Sequence, residues 1–136
     1  MNKVINTLMR IDHVALFCRN LEAMRQFFID YFEAESNELY HNQRTGLQTY
    51  ILTFPNGGAR LELMQRPDTI NVDPSKANIG FIHVSFALGS KEAVDAKTIE
   101  LHDAGYQVTS GPRTTGDGYY ESCILGPEGI QLEITI

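Results

Sequence analysis

The chain has 136 residues, of which 43% are hydrophobic and 21% are charged, as expected for one globular domain or two very small fused ones. The formal net charge of -6 argues against nucleic-acid binding, because phosphate recognition needs clustered Lys and Arg. Cys18 and Cys123 match neither a zinc motif nor a disulfide framework, so we expect reduced cysteines in a cytoplasmic protein. No segment is apolar enough to span a membrane, and charged residues near the N-terminus interrupt any secretory signal.

Two histidine-containing segments of the sequence repeat each other. Residues 11–16 read Ile-Asp-His-Val-Ala-Leu, and residues 81–86 read Phe-Ile-His-Val-Ser-Phe. Their histidines, His13 and His83, align at an offset of 70 residues. An internal repeat of this kind indicates that the chain contains two copies of one supersecondary unit.

Two glutamates recur in the same manner. Glu62 lies in an alternating apolar and polar segment at 59–63, and Glu133 lies in a similar segment at 130–134. They align at an offset of 71 residues, and one inserted residue accounts for the change from the histidine alignment. Each copy of the repeat therefore has a histidine near its start and a glutamate near its end.

The repeat divides the chain into two modules, at 1–65 and 80–136. The segment between them, 66–79, contains Pro67 and Pro74 and is predicted to be a linker. Each module is predicted to contain a strand, a helix and three further strands, so the unit is βαβββ and the fold class is α+β.

The predicted elements follow the hydrophobic pattern along the chain. The first strands are predicted at 9–17 and 80–88, and Asn20 and Ser90 are the expected N-caps of the two helices. Gly105 is expected to end the second helix in a left-handed conformation. The clearest later strands are 48–54, 59–65, 119–125 and 130–136.

Side chains alternate between the two faces of a strand, so residues two apart share a face. Leu61 and Leu63 flank Glu62, which indicates that the leucines pack under a helix and the glutamate faces away from it. The same alternation applies to the other three residues of the recurring set: His13, His83 and Glu133. Each module therefore offers one imidazole and one carboxylate on the face opposite its helix.

A single histidine or glutamate on a strand is usually a core or solvated residue, so recurrence is what favours a ligand here. His41 and His102 have no counterpart in the other module, and His102 is expected at the surface of the second helix. Two imidazoles and two carboxylates suit zinc, nickel, cobalt, manganese or iron. If a pseudo-twofold axis relates the modules, one divalent metal would be held by the whole set, with positions left for substrate: His13, Glu62, His83 and Glu133.

From residues 11–15 to residues 129–133 the sequence resembles the vicinal oxygen chelate superfamily. This superfamily includes glyoxalase I, methylmalonyl-CoA epimerase, fosfomycin-resistance transferases, extradiol dioxygenases and bleomycin-resistance proteins. The segment 127–133, Pro-Glu-Gly-Ile-Gln-Leu-Glu, is a specific signal of the superfamily. The resemblance implies paired βαβββ modules that form a concave mixed β-sheet cup. It also implies the metal ligands His13, Glu62, His83 and Glu133.

A set of His, Glu, His and Glu is similar to that of bacterial glyoxalase I. The resemblance implies a carbon–sulfur lyase of the lactoylglutathione lyase type, which uses nickel, cobalt, zinc or manganese. Such an enzyme isomerises the hemithioacetal of a 2-oxoaldehyde and a thiol to a 2-hydroxyacyl thioester through an enediolate. By family position, Glu133 would be the catalytic base and Glu62 the second catalytic carboxylate.

Some positions depart from the glyoxalase I pattern. An Arg that meets a glutathione carboxylate usually stands four residues after the first histidine, where this chain has Phe17. Arg113 lies near the family's cationic substrate contact, and a solvated loop arginine is the alternative. An epimerase of the methylmalonyl-CoA type and a non-catalytic small-molecule-binding protein also stay open. We expect a small-molecule substrate, no nucleic-acid or membrane partner, and a homodimer whose sites lie within one chain or across the dimer interface.

Overall fold

The computed structural model describes residues 3–136, so residues 1 and 2 of the predicted first module lie outside it. The chain divides into two compact units, the first ending at Ile70 and the second running over Asn71–Ile136. Each unit combines a sheet of mixed strands with a helix packed on it, which confirms the predicted α+β class. Within residues 3–136, no helix combines the length and apolar character needed to cross a bilayer.

The first unit has a mixed sheet in which the first strand runs parallel to the last. Its elements are β1 (His13–Phe17), α1 (Leu21–Phe32), β2 (Glu35–Ser36), β3 (Tyr40–His41), β4 (Gln48–Thr53) and β5 (Arg60–Gln65). The strand order is β1-β5-β4-β2, and β3 also pairs with β4.

The prediction of three strands after the first helix is wrong, because the first of them is split into β2 and β3. Asn37 lies at the break and explains it. The side-chain Oδ1 of Asn37 accepts a hydrogen bond of 2.7 Å from the backbone N–H of Ile51. The amide side chain thus takes the place of a backbone acceptor in the ladder and interrupts the strand.

The second unit repeats this architecture with a longer third element. Its elements are β6 (Val84–Ala87), α2 (Lys91–Asp103), β7 (Gln107–Thr114), β8 (Tyr120–Leu125) and β9 (Gln131–Thr135). The strand order is β6-β9-β8-β7, and β6 runs parallel to β9. A short 3-10 turn at Pro127–Gly129 joins β8 to β9.

Both predicted N-caps are confirmed. Asn20 accepts a hydrogen bond of 3.0 Å from the N–H of Ala23, and Ser90 accepts one of 3.1 Å from the N–H of Ala93. Gly105 follows α2 with a φ of 98°, as predicted for a left-handed residue after the helix. The buried side chains of α1 are Leu21, Met24, Phe27, Phe28 and Phe32, and those of α2 are Val94, Thr98 and Leu101.

The first strand of each module is shorter than predicted. β1 begins at His13 rather than at residue 9, and β6 begins at Val84, so His83 lies just before its strand. The strands that pair with them, β5 and β9, begin at Arg60 and Gln131. Pairing starts only where a partner strand is present, and this limits both first strands.

The registers refine the alignment of the two modules. Ile51 is the β4 partner of Glu62, and Cys123 is the β8 partner of Glu133. The strands β4 and β8 therefore align at an offset of 72, whereas the histidines align at 70 and the glutamates at 71. A single inserted residue does not account for all three offsets, because the turn before the glutamate strand is also one residue shorter in the second module.

Candidate metal centre

The first half-site lies on the face of the first sheet away from α1. Leu61 and Leu63 are buried on the helix side, so Glu62 between them points to the opposite face. The parallel pairing of β1 with β5 puts Ala15 beside Glu62 and His13 beside Arg60. His13 and Glu62 therefore share one face of two adjacent strands, two register positions apart.

Asp12 is the hydrogen-bond partner of His13. Its Oδ2 lies 2.8 Å from His13 Nδ1 and 2.6 Å from Arg60 Nη2, and its Oδ1 lies 3.1 Å from Arg10 Nη2. The hydrogen bonds from His13 and Arg60 hold the pKa of Asp12 well below its usual range. A charged carboxylate only accepts hydrogen bonds, so this contact favours the neutral tautomer of His13 that carries its proton on Nδ1 and has its lone pair on Nε2.

The second half-site brings its histidine and glutamate into direct contact. His83 Nε2 lies 3.4 Å from Glu133 Oε2. The Ser85 hydroxyl donates a hydrogen bond of 2.9 Å to Glu133 Oε1. Leu132 and Ile134 are buried on the α2 side, so this pair lies on the other face, as the alternation predicted.

A second carboxyl group lies beside Glu133. Burial, followed by a hydrogen bond with Glu133 and the charge of Glu133, raises the pKa of Glu121 on β8. Cys123 lies directly across the strands from Glu133, and burial together with the charges of both glutamates raises the pKa of its thiol. The second half-site thus has a carboxyl group and a thiol beside its glutamate.

Sequence reasoning missed Asp12, Ser85 and Glu121 as parts of these half-sites. Asp12 directly precedes His13 in the sequence, and an acidic neighbour of a candidate ligand is a signal that could have been used. Glu121 lies two residues before Cys123, so strand alternation already puts the two on one face. Ser85 lies two residues after His83, so strand alternation puts both on one face, but its partner Glu133 emerges only from the register of β6 with β9.

Arg113 and Phe17 also lie on these sheets. Arg113 is exposed on β7, where it pairs in register with Glu121, and its Nε donates a hydrogen bond of 3.1 Å to Ser110 Oγ. Phe17 is 53% exposed and ends β1 on the same face as His13. The predicted cationic contact thus belongs to the sheet of the second half-site, and an exposed aromatic ring belongs to the first.

Within residues 3–136, no three side chains of His, Cys, Asp or Glu are grouped closely enough to hold a metal ion. Each half-site supplies one imidazole and one carboxylate, which suit a divalent metal of the zinc, nickel, cobalt or manganese type. His102 lies elsewhere, exposed on α2, with its Nδ1 3.2 Å from Asp103. His41 is exposed on β3.

A cavity of about 420 Å³ opens in the first unit beside the start of α1. It is lined by Arg19, Asn20, Leu21, Glu22, Leu39, Gln48 and Gln65. None of the predicted ligands contributes to this lining, so the cavity and the first half-site are separate features of the unit.

Solved structures of similar fold agree with this architecture. A glyoxalase family protein from Bacillus cereus is 19% identical with a TM-score of 0.77, over 98% of this chain and 97% of that chain. A glyoxylase/bleomycin resistance protein/dioxygenase domain from Frankia sp. EAN1pec is 18% identical with a TM-score of 0.78, over 96% of this chain and 98% of that chain. At such identities the matches show the fold.

The fosfomycin resistance protein FosX from Listeria monocytogenes also has this fold. Its structure was solved with Mn(II) and 1S,2S-dihydroxypropylphosphonic acid. It is 15% identical with a TM-score of 0.71, over 95% of this chain and 93% of that chain. A search of curated proteins gives no match. The family model of the Glyoxalase/Bleomycin resistance protein/Dioxygenase superfamily matches residues 10–134, and the chain belongs to this superfamily.

Proposed function

We propose that the protein is a metal-dependent lyase of the glyoxalase I kind, which isomerises the hemithioacetal of a 2-oxoaldehyde and a thiol to a 2-hydroxyacyl thioester. The observation that carries the proposal is the repeated half-site. Equivalent registers put Glu62 beside Ala15 and Glu133 beside Ser85. In each unit a histidine two residues earlier shares that face. One four-donor centre explains these two matched pairs of residues better than unrelated surface charges would.

The proposed metal ligands are His13, Glu62, His83 and Glu133. Two imidazoles and two carboxylates fit nickel, cobalt, zinc or manganese, and the bare Nε2 that Asp12 leaves on His13 is a suitable ligand atom. When bound, the metal would polarise the neighbouring oxygens of the substrate and stabilise the negative charge that develops on them.

Glu133 is the proposed base. Its carboxylate would remove the proton from the carbon that bears sulfur and return it to the neighbouring carbon, so the substrate is isomerised without a net change of atoms. Its side chain is 17% exposed, which shields it from bulk water while leaving it open to a substrate. Ser85 holds one of its oxygens, and Glu62 is the second catalytic carboxylate in this proposal.

The thiol is proposed to bind through contacts other than the usual glutathione arginine. Phe17 has an exposed apolar ring at the position of the arginine that contacts glutathione in glyoxalase I. Arg113 is the proposed contact for an anionic group of the thiol, because its guanidinium is exposed and its Nε is oriented by Ser110. A carboxylate or phosphate on the thiol carrier fits a guanidinium at this position.

The second carboxylate supports one alternative, an epimerase of acyl-CoA thioesters. If Glu62 and Glu133 each serve one face of an α-carbon, the same groups would remove a proton from one side and return it on the other. Exchange of deuterium into the α-position of methylmalonyl-CoA separates this activity from lyase turnover.

A non-catalytic binding protein is a further alternative, and it predicts that the purified protein holds no tightly bound metal.

The decisive experiment measures metal content and restored turnover together. The purified chain is stripped with a chelator, and nickel, cobalt, zinc or manganese is returned before methylglyoxal is offered with several thiols, glutathione included. We expect thioester formation with at least one thiol and recovery of activity at one metal per four-ligand site. Absence of turnover in every pairing of metal and thiol would reject the lyase proposal.

We propose a homodimer, following the norm of the family. Apolar side chains at the junction of the linker and the second module support it, since Ile79, Phe81 and Ile82 are largely exposed in the single chain. Contiguous exposed apolar residues are typical of protein interfaces. Light scattering that gives the mass of one chain across a range of concentrations would contradict this proposal.

A further inference from the structure

We propose that Asp12 is a positioning residue that fixes the tautomer of His13 and thereby tunes how tightly the first half-site holds its metal. The inference deepens the proposed function, because it takes His13 as a ligand. It concerns a residue that touches neither substrate nor metal and acts only through the imidazole beside it.

Asp12 is held in place by both its side chain and its main chain. Its carboxylate lies 2.8 Å from His13 Nδ1 and 2.6 Å from Arg60 Nη2. Its backbone carbonyl accepts a hydrogen bond of 2.9 Å from the N–H of Arg60. Arg60 is the register partner of His13, so the pairing of β1 with β5 assembles all three groups.

This arrangement decides which ring nitrogen of His13 is available. The guanidinium groups of Arg60 and Arg10 both contact the carboxylate and favour its charged form, which can only accept hydrogen bonds. The neutral imidazole must therefore keep its proton on Nδ1, and the lone pair is left on Nε2. A carboxylate behind a ligating histidine also raises the basicity of the ring and restrains its rotation.

The second module has no counterpart of this support. The residues aligned with Arg10, Asp12 and Arg60 are Gly80, Ile82 and Gln131. His83 instead faces Glu133 directly at 3.4 Å. The repeat has thus diverged at this point, and the oriented histidine belongs to the first module.

The test uses the metal-free full chain labelled with nitrogen-15 and the Asp12→Ala variant. Long-range proton–nitrogen spectra report the tautomer of each histidine. We expect the Nδ1–H form of His13 in the original chain and a shift toward the Nε2–H form in the variant. Metal affinity, measured by competition with a chelator, should fall by about 10-fold to 100-fold.

Asp103→Ala is the matched control. Asp103 also lies next to a histidine in sequence and contacts His102 Nδ1 at 3.2 Å, but outside both half-sites. Its removal should change the spectrum of His102 and leave metal affinity unchanged. Asp12→Asn keeps a side-chain oxygen without the charge, so it should show a smaller loss of affinity and serves as a second variant if Asp12→Ala folds poorly.

The two readouts separate this inference from the proposed function. An unchanged His13 tautomer in Asp12→Ala would overturn the positioning role, and so would a shifted tautomer with unchanged metal affinity. If the original chain binds none of nickel, cobalt, zinc or manganese, the proposed function is overturned. The role of Asp12 in tuning metal affinity is then overturned as well. A tautomer shift in that chain would still establish that Asp12 orients His13.

Discussion

Ser85 donates a hydrogen bond of 2.9 Å to Glu133, its register partner between β6 and β9. At the equivalent place in the first module, Ala15 stands beside Glu62 and presents a methyl group. A hydroxyl therefore restrains one carboxylate of the proposed centre, whereas the matching position beside the other cannot donate. The two glutamates are equivalent in sequence and fold but differ in what holds them.

Replacing Ser85 with alanine should lower turnover while leaving metal content unchanged. The lost hydrogen bond to a partly exposed carboxylate is worth about 1 kcal/mol, which corresponds to a loss of about fivefold in kcat. Ser75→Ala is the matched control, since the Ser75 hydroxyl donates a hydrogen bond of 2.6 Å to Asp73 outside the half-sites. Equal rates for Ser85→Ala and the original chain would contradict a role of Ser85 in aligning the base.

Replacing each glutamate with glutamine should separate the two proposed carboxylate roles. Glu133→Gln keeps an oxygen ligand but removes the base, so we expect kcat to fall by about 100-fold to 10,000-fold with saturating metal. Glu62→Gln should act mainly on metal affinity, with a smaller loss of kcat once metal is saturating. If both variants lose kcat equally under those conditions, the assignment of Glu133 as the base is wrong.

The local features of the fold could be predicted from the sequence, because each depends on a few neighbouring residues. The N-caps Asn20 and Ser90 and the left-handed Gly105 were all predicted correctly. Strand alternation also assigned the correct faces to Glu62 and Glu133, since buried leucine or isoleucine flanks each of them.

Features that depend on pairing between distant strands could not be predicted. The break between β2 and β3 requires that Asn37 meets Ile51, which only the register with β4 specifies. The contacts of Asp12 with Arg60 likewise join residues that are far apart in the sequence. Such pairings are decided by tertiary packing, which local sequence patterns do not specify.

A double-mutant cycle on Thr98 and Ser122 should show a buried hydrogen bond between α2 and β8. Their hydroxyl oxygens lie 2.7 Å apart, and the residues are 5% and 1% exposed. Thr98→Val leaves the Ser122 hydroxyl buried without its partner, so we expect a loss of about 1–3 kcal/mol in the free energy of unfolding. Adding Ser122→Ala should recover part of that loss, as measured by urea denaturation. Additive effects would mean that the two hydroxyl groups do not interact.

Replacing Gly111 with alanine should destabilise the second unit. Gly111 has a φ of 78°, and a Cβ there would lie 2.5 Å from the backbone oxygen of Glu121. Strain of this kind costs about 1–3 kcal/mol, and the backbone contact cannot be relieved by rotating a side chain. Gly116→Ala is the control, because a Cβ at Gly116 meets nothing within 4 Å. Similar melting temperatures for the two variants would contradict the close approach of β7 to β8 at Gly111.

The stability of the first unit should depend on Tyr50 at alkaline pH. Its hydroxyl donates a hydrogen bond to Glu22, and this bond together with burial raises the pKa of Tyr50 above the ordinary value of 10.0. The folded chain therefore favours the protonated phenol. The resulting stabilisation is fully present below the unfolded pKa and is lost as pH rises through the folded pKa.

The difference in unfolding free energy between the original chain and Tyr50→Phe should accordingly be constant at neutral pH and shrink above pH 10.0. Urea denaturation at a series of pH values measures this difference. Glu22→Gln is the matched variant, because it keeps a hydrogen-bond acceptor but removes the charge that opposes ionisation of the phenol. In the Glu22→Gln background the folded pKa of Tyr50 lies closer to the unfolded value, so the decline should be smaller and should end at lower pH. A difference that stays constant through the alkaline range in both backgrounds would show that the Tyr50 hydroxyl does not interact with Glu22 in the folded chain.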